Sequence, residues 1–187
     1  MATPLMAADG LHVLTIATPN SQFRESARLI TRQALRAALA QLLALKEEEI
    51  SLVSAPGTPI HLAPPWDHIG ISVSHQPGLS LAAIHLAGPV GIDLMRLGEP
   101  LPDIDALARD YLGPAEAAVI AMQSAEKRQR AFAQSWTRLE ARLKCLALPL
   151  REWTPELDSL QATCVVTELP MPAGWIAAVA TTPNKLP

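Results

Sequence analysis

The sequence has few cysteines, little net charge and no long apolar run. Its two cysteines, Cys145 and Cys164, are not spaced as metal ligands, and without a secretory signal we expect reduced thiols rather than a disulfide. The net charge of −3 argues against broad electrostatic binding to nucleic acid, which would need a basic surface. No apolar segment reaches the roughly 18–20 residues that span a bilayer. We therefore expect a cytoplasmic protein that binds neither nucleic acid nor membrane.

Several common catalytic motifs are also missing. The sequence contains no GxGxxG dinucleotide fingerprint, no GxxxxGK[ST] loop, no HExxH and no GxSxG. Its five histidines are scattered, and the seven-residue spacing of His61 and His68 across a proline-rich segment is only a weak metal signal. The chemistry must therefore be sought in residues that are far apart in the sequence.

The apolar content of 49% in 187 residues is enough for a well-formed core. Periodicity predicts a mixture of strands and helices, which alternate along the chain. The predicted strands are 11–18, a short one near 51–53, 69–75, 79–87, 89–95, 159–169 and 174–181, and the predicted helices are 21–50, 103–112, 113–123 and 124–148. Ser21 is the expected N-cap of the first helix, and the three strands in 69–95 predict a meander.

This order of elements predicts an α+β fold with mainly antiparallel strands and helices packed on them. A helix followed by strands occurs in both halves, which permits two similar fused lobes, each with a sheet against a long helix. Identity between the halves is too weak to show a repeat.

Two strand ends carry polar residues. Asp93 follows the apolar stretch Pro89–Ile92, where a carboxylate is costly unless it lies at a rim or is paired. It could belong to a site, or it could begin a turn. Ser74 and His75 precede a Pro–Gly turn, so a hydroxyl, an imidazole and backbone amides could together bind an anion. An ordinary turn histidine is the alternative.

The first and third helical segments offer further charges. Arg28, Arg32 and Arg36 recur every four residues, and they could bind a phosphate or form a solvated face. Glu116 lies in the first turn of a helix, where its charge favours the helix dipole whether or not it has another role.

The segment 135–148 places Trp136, Glu140 and Lys144 at i, i+4 and i+8 on one face of a helix. Glutamate before lysine at this spacing is the stabilising order, worth about 0.2–0.5 kcal/mol. A surface ion pair beside a half-buried indole would explain the pattern. A shared ligand would explain it as well.

Three segments in a fixed order carry a resemblance to a known family: "ISVSHQPGLSLAAI", "VGIDLM" and "WTRLEARLKCLAL". Together they resemble the 4′-phosphopantetheinyl transferases, in particular the larger monomeric type, over about residues 26–181. Glu116 matches a family glutamate 24 residues before the helix glutamate. The other matching positions are Gly57–Pro59, Ser74–His75, Gly91–Asp93, Trp136–Thr137, Glu140–Ala141, Lys144 and the closing "GWIAAVA".

The resemblance implies a holo-[acyl-carrier-protein] synthase type of enzyme. Such an enzyme moves 4′-phosphopantetheine from coenzyme A to a serine of an apo acyl or peptidyl carrier protein and releases 3′,5′-ADP. It also implies a monomer with lobes at 1–95 and 96–187 and an active site at their junction.

The resemblance assigns roles to individual residues. Asp93 and Glu140 would hold Mg²⁺, and Lys144 would stabilise charge on the transferred phosphate. Glu140 or Glu116 would accept the proton of the carrier serine. The residues implied for coenzyme A are His75, Ser74, Arg36, Arg32 and Lys144.

Three positions depart from the family pattern. Met95 stands where many members have a second strand carboxylate, Leu139 replaces a lysine, and Thr58 replaces a common lysine. A thioether is a poor ligand for Mg²⁺, so only Asp93 and Glu140 would remain as metal ligands. Two alternatives therefore stay open: a degenerate relative that binds carrier protein or coenzyme A without catalysis, and an unrelated α+β binding domain.

Overall fold

The structure, a computed structural model, describes residues 2–20, 24–55, 58–98, 101 and 103–183. The expected N-cap Ser21 and the motif residue Gly57 lie outside the described residues. The strands are β1 (Ala2–Ala8), β2 (Leu11–Ala17), β3 (Leu52–Val53), β4 (His61–Leu62), β5 (Gly70–Gln76), β6 (Leu79–His85), β7 (Val90–Arg96), β8 (Val165–Glu168) and β9 (Trp175–Thr181). The α-helices are α1 (Arg24–Leu43), α2 (Ile104–Leu107), α3 (Pro114–Ala121), α4 (Ala125–Cys145) and α5 (Pro155–Gln161). This mixture of helices and antiparallel strands confirms the predicted α+β class.

The first sheet has the strand order β1-β2-β6-β5, and helix α1 covers one of its faces. Leu35 and Leu39 of α1 are fully buried and pack with Ile16 and Ile84 of the sheet. The helix ends at Leu43 because Ala44 adopts a left-handed conformation with φ 53°, so the predicted extension to residue 50 was wrong. A separate 3-10 turn follows at Glu47–Glu49.

The second sheet has the order β7-β9-β8, and helix α4 covers its outer face. Its inner face packs on the free face of the first sheet, where Val13 and Leu81 meet Ile92 and Val179. The order of layers is therefore α1, first sheet, second sheet, α4. This arrangement buries the central strands of both sheets, whereas the edge strands β1 and β8 stay largely exposed.

The predicted meander was wrong for its third strand. β5 and β6 form a hairpin, but the other edge of β6 is already occupied by β2. β7 therefore leaves the first sheet and pairs with β9, with Asp93 opposite Ala178. The expected division at residue 95 stays a prediction; by hydrogen bonding, the two sheets separate between β6 and β7.

The C-terminal third also differs from the pattern. The predicted strand 159–169 is helix α5 followed by the short β8, and Thr154 caps that helix by accepting a hydrogen bond from the Leu157 amide at 3.2 Å. Helix α2 continues as a π-helical turn at Ala108–Leu112. Within the described ranges no helix has both the length and the apolar character needed to cross a membrane.

Candidate functional site

Asp93 is the centre of a polar cluster between β5, β7 and α4. Its residue exposure is only 8%, and its Oδ1 accepts hydrogen bonds from Lys144 Nζ at 2.6 Å and from Ser74 Oγ at 2.9 Å. Lys144 Nζ also donates to the Ile92 carbonyl at 3.1 Å. The carboxylate at this strand end is therefore paired, as burial of a charge requires.

Two serines of β5 accept hydrogen bonds from backbone amides at the edge of β7. The amide of Ile92 donates to Ser72 Oγ at 3.0 Å, and the amide of Leu94 donates to Ser74 Oγ at 3.2 Å. Side-chain hydroxyls thus take the place of a neighbouring strand and join the two sheets. Ser74 also holds Asp93, so the same contact that joins the sheets orients the carboxylate.

Close packing of α4 on β7 brings Lys144 to Asp93. A Cβ built on Gly91 would lie 1.9 Å from the Ala141 carbonyl oxygen and 2.4 Å from the Cys145 amide nitrogen. Only glycine permits this approach. Farther along the same helix face, the Trp136 ring meets Tyr111 edge-on with centroids 5.6 Å apart, so this part of α4 packs against a neighbouring turn.

Glu140 borders the same cavity as Asp93 and Lys144, a space of about 480 Å³. Burial raises the pKa of Glu140; the Lys144 ammonium lowers it by a smaller amount, and the Asp93 carboxylate raises it. Lys144 forms its ion pair with Asp93 on β7. The helical spacing had instead suggested an ion pair with Glu140, which lies on the same helix as Lys144. The side chain of Glu140 makes no hydrogen bond to any described residue, so its carboxylate is available to a ligand.

The two carboxylates meet the requirements of a hard cation. Asp93 Oδ1 accepts both of that residue's hydrogen bonds, and within the described ranges Oδ2 accepts none. Mg²⁺ typically takes one or two carboxylates and completes its shell with water and phosphate oxygens. No group of three or more His, Cys, Asp or Glu converges in the part of the chain that the structure describes. The donor set therefore fits a partly hydrated Mg²⁺ and not an all-protein cage.

Ser74 and His75 lie where two cavities meet. Both residues border the cavity at Asp93, and His75 with Val73 also borders a second space of about 600 Å³. His75 Nδ1 lies 2.8 Å from Ser80 Oγ, a contact that orients the ring. Together the two spaces can accept a ligand that is longer than either.

Arg32 borders the larger cavity, and Arg36 does not. Arg32 donates to the Leu52 carbonyl at 2.8 Å and to Ser54 Oγ. Arg36 donates to the Ile50 carbonyl at 3.2 Å and lies beside Glu47 and Glu48, away from His75. The structure therefore brings one of these two arginines to the predicted coenzyme A site.

Several residues of these cavities are absent from the predicted site, and they include three polar or charged residues that border a ligand space. Arg28 and Thr31 line the cavity of Arg32, and Gln76 lines that of Asp93. The Oγ1 of Thr31, a residue only 2% exposed, has no hydrogen-bond partner among the described residues. The four-residue spacing from Arg28 to Arg32 was a usable signal, whereas nothing local marks Thr31 or Gln76.

Glu116 lies elsewhere. It accepts a hydrogen bond from Ser135 Oγ and borders a different cavity, on another face of α4. The structure does not bring it to the cavity of Asp93 and Glu140.

The departures from the family pattern have different surroundings. Met95 borders the cavity beside Asp93. Leu139 is 4% exposed and packs in the core with Leu143, away from that cavity. Thr58 borders the larger cavity, and its hydroxyl donates to the Ala55 carbonyl at 3.0 Å.

Two comparisons with known proteins found similar sequences. Residues 89–169, or 81 of 187 residues, match the model of the 4′-phosphopantetheinyl transferase superfamily. A 73-residue segment is 34% identical to the 4′-phosphopantetheinyl transferase HetI of Nostoc sp. (strain PCC 7120 / SAG 25.82 / UTEX 2576). That match covers 39% of this chain and only 30% of the relative's length. Asp93, Glu116, Glu140 and Lys144 all fall in the region matched by the model of this superfamily.

Proposed function

We propose that the chain transfers 4′-phosphopantetheine from coenzyme A to a serine of an apo acyl or peptidyl carrier protein. The serine oxygen bonds to the β-phosphorus, the bond from that phosphorus to the bridging pyrophosphate oxygen breaks, and 3′,5′-ADP leaves. The observation that carries the proposal is the Asp93–Lys144 pair, which borders one cavity together with Glu140 inside the superfamily region. The similarity to a protein named a 4′-phosphopantetheinyl transferase supports the same reaction.

Asp93 and Glu140 are the proposed ligands of Mg²⁺. The cation would neutralise negative charge on the pyrophosphate during the transfer. Asp93 offers Oδ2, because Ser74 and Lys144 both donate to Oδ1. Met95 supplies no oxygen ligand, so Asp93 and Glu140 are the protein ligands that we propose for Mg²⁺.

Lys144 is placed to stabilise charge on the transferred group. An ammonium has three N–H donors, and two of them are used by Asp93 and the Ile92 carbonyl. The third is left for a phosphate oxygen. A fixed cation of this kind stabilises the transition state in proportion to the charge that develops there.

Glu140 is better supported than Glu116 as the acceptor of the serine proton. It borders the cavity of Asp93 and Lys144, where the carrier serine would attack. Glu116 borders another cavity and is engaged by Ser135.

Coenzyme A would span the two cavities that meet at His75. Its pyrophosphate would lie near Ser74, His75 and Lys144, and its nucleotide would lie along α1 with Arg32. The unpartnered hydroxyl of Thr31 fits a polar ligand in that space. Arg36 has weaker support, since its guanidinium lies beside Glu47 and Glu48.

Incubation of apo carrier protein with coenzyme A, Mg²⁺ and this chain tests the proposal by the mass of the carrier. We expect a gain of one phosphopantetheine group, lost when Mg²⁺ is chelated. Glu140→Gln should abolish the gain. Glu126→Gln, which changes an exposed carboxylate in the first turn of the same helix, should keep it.

Two other outcomes identify the alternatives. Coenzyme A binding without any mass gain on a panel of carriers would favour a non-catalytic relative. Neither binding nor transfer would favour an unrelated α+β binding domain.

A further inference from the structure

The cavity that Glu116 borders lies on the face of α4 that points away from the proposed transferase site. Successive residues of an α-helix are turned by about 100°, so Arg142 projects roughly opposite to both Glu140 and Lys144. The space is about 350 Å³, opens to solvent, and is bordered by the π-helical turn and by α5. This is the size of a small ligand site.

Arg142 contributes a guanidinium without a partner to this cavity. Its Nε is buried and makes no hydrogen bond, and the guanidinium has neither a hydrogen bond nor an ion pair to any described residue. Burial lowers the pKa of Arg142 even though Asp158 and Glu116 act in the opposite direction. Neighbouring Arg138, by contrast, is paired with Glu168.

Gln161 provides a second, independent observation. It is only 5% exposed and lines the cavity, yet its side-chain amide makes no hydrogen bond to the described part of the chain. Its amide therefore has a donor and an acceptor available to a ligand in the cavity. Trp153 adds an indole N–H without a described partner, packed against Gly113, where a Cβ would lie only 2.6 Å from Nε1.

We propose that this cavity binds the oxyanion group, carboxylate or phosphate, of a small molecule. Arg142 and Gln161 are its principal donors, because a guanidinium fork matches the paired oxygens of such groups. Two carboxylates also line the cavity, but neither forms an ion pair with Arg142 in the described part of the chain: Glu116 accepts a hydrogen bond from Ser135, and Asp158 is exposed at the rim. The proposal is independent of the transferase reaction.

Titration of the full chain with inorganic phosphate and, separately, with propionate tests the proposal at constant ionic strength. Nitrogen–proton NMR follows the Trp153 indole and the Gln161 amide. We expect saturable shifts of both signals with at least one probe, and the responding probe identifies the oxyanion class. Sodium chloride at the same ionic strength should produce no such shifts.

Matched variants locate the effect. Arg142→Gln should weaken binding by about tenfold or more, as expected for loss of a charged donor. Gln161→Glu should do the same by charge repulsion, while Arg130→Gln, an exposed arginine of α4, should leave binding unchanged. Unshifted Trp153 and Gln161 signals in the wild-type chain would overturn the proposal. So would equal binding by a folded Arg142→Gln variant, or phosphate shifts confined to Trp136, which borders the transferase cavity.

Discussion

Asp93 and Lys144 form an interaction in which the two partners are unequally buried. The Asp93 side chain is 12% exposed and that of Lys144 is 31% exposed. Removal of the lysine leaves a carboxylate with one remaining donor, Ser74, in a place where water is scarce. The pair therefore differs from the surface Glu140–Lys144 pair that the helical spacing suggested, which would have contributed only tenths of a kcal/mol.

Lys144→Ala should lower the transfer rate by about 10²–10³, the usual effect of losing one preorganised donor to transition-state charge. It should also lower stability by about 1–3 kcal/mol, since a buried acceptor loses its charged donor. Carrier modification and thermal melting measure the two effects. Lys127→Ala, an exposed lysine of the same helix, is the control and should change neither. Normal transfer by Lys144→Ala would leave the residue with a structural role only.

The carboxyl of Glu140 should titrate above its ordinary value of 4.5 when divalent cations are absent, because burial raises its pKa. Asp93→Asn should bring the midpoint down, since it removes a negative charge and frees the Lys144 ammonium. The folded pKa lies above the unfolded one, so this group should add stability as pH falls through the folded value toward 4.5. Carbon-13 NMR of the Glu140 carboxyl measures the titration midpoint in the wild-type chain and in the Asp93→Asn variant. A midpoint at or below 4.5 would contradict the buried environment.

At the scale of elements, the contact between β7 and α4 determines the site. Gly91 lies opposite Ala180 on β9, and small residues of both strands and of α4, including Ala141 and Ala178, allow the helix to approach the sheet. This short distance brings Lys144 within 2.6 Å of Asp93. A larger side chain at the contact would separate the cation from the carboxylate.

Gly91→Ala should therefore destabilise the fold by about 1–3 kcal/mol, the usual cost of overpacking. Transfer should fall in the fraction that remains folded, because α4 must move outward by the space of the new methyl group. Gly98→Ala is the matched control, since a Cβ there meets nothing within 4 Å. Urea unfolding and carrier modification measure both variants. If Gly91→Ala and Gly98→Ala behave alike, helix approach does not limit the site.

At the scale of the whole molecule, the site lies where the two sheets meet. Ser74 comes from the first sheet, Asp93 from the second, and Lys144 from the outer helix. One chain thus supplies all the residues of the proposed site. A second copy is not needed to complete it.

We therefore expect a monomer of 20.0 kDa whose specific activity does not change on dilution. Light scattering after gel filtration gives the mass, and carrier modification over a hundredfold range of enzyme concentration gives the activity. An activity that falls on dilution together with a doubled mass would show that the site depends on a partner copy.

Much of the fold and several site residues could be predicted from the sequence. Periodicity is a local property, and it located β2, the β5–β6 hairpin, α4 and β9 to within a few residues. Local pattern together with the family resemblance also singled out Asp93, Glu140 and Lys144, which border one cavity. These elements carry strong repeating patterns, and patterns of this kind survive in any tertiary arrangement.

Only the tertiary structure decided which elements become neighbours. The partner of β7 is β9, more than 80 residues away, because β2 occupies the edge that local order would have given it. The same long-range packing joins Lys144 to Asp93 and directs Arg36 and Glu116 away from their cavity. The sequence by itself thus determined which residues could do chemistry. The distances between these residues, and which of their donors and acceptors remain available to a ligand, depended on side-chain packing between distant segments, which no local pattern records.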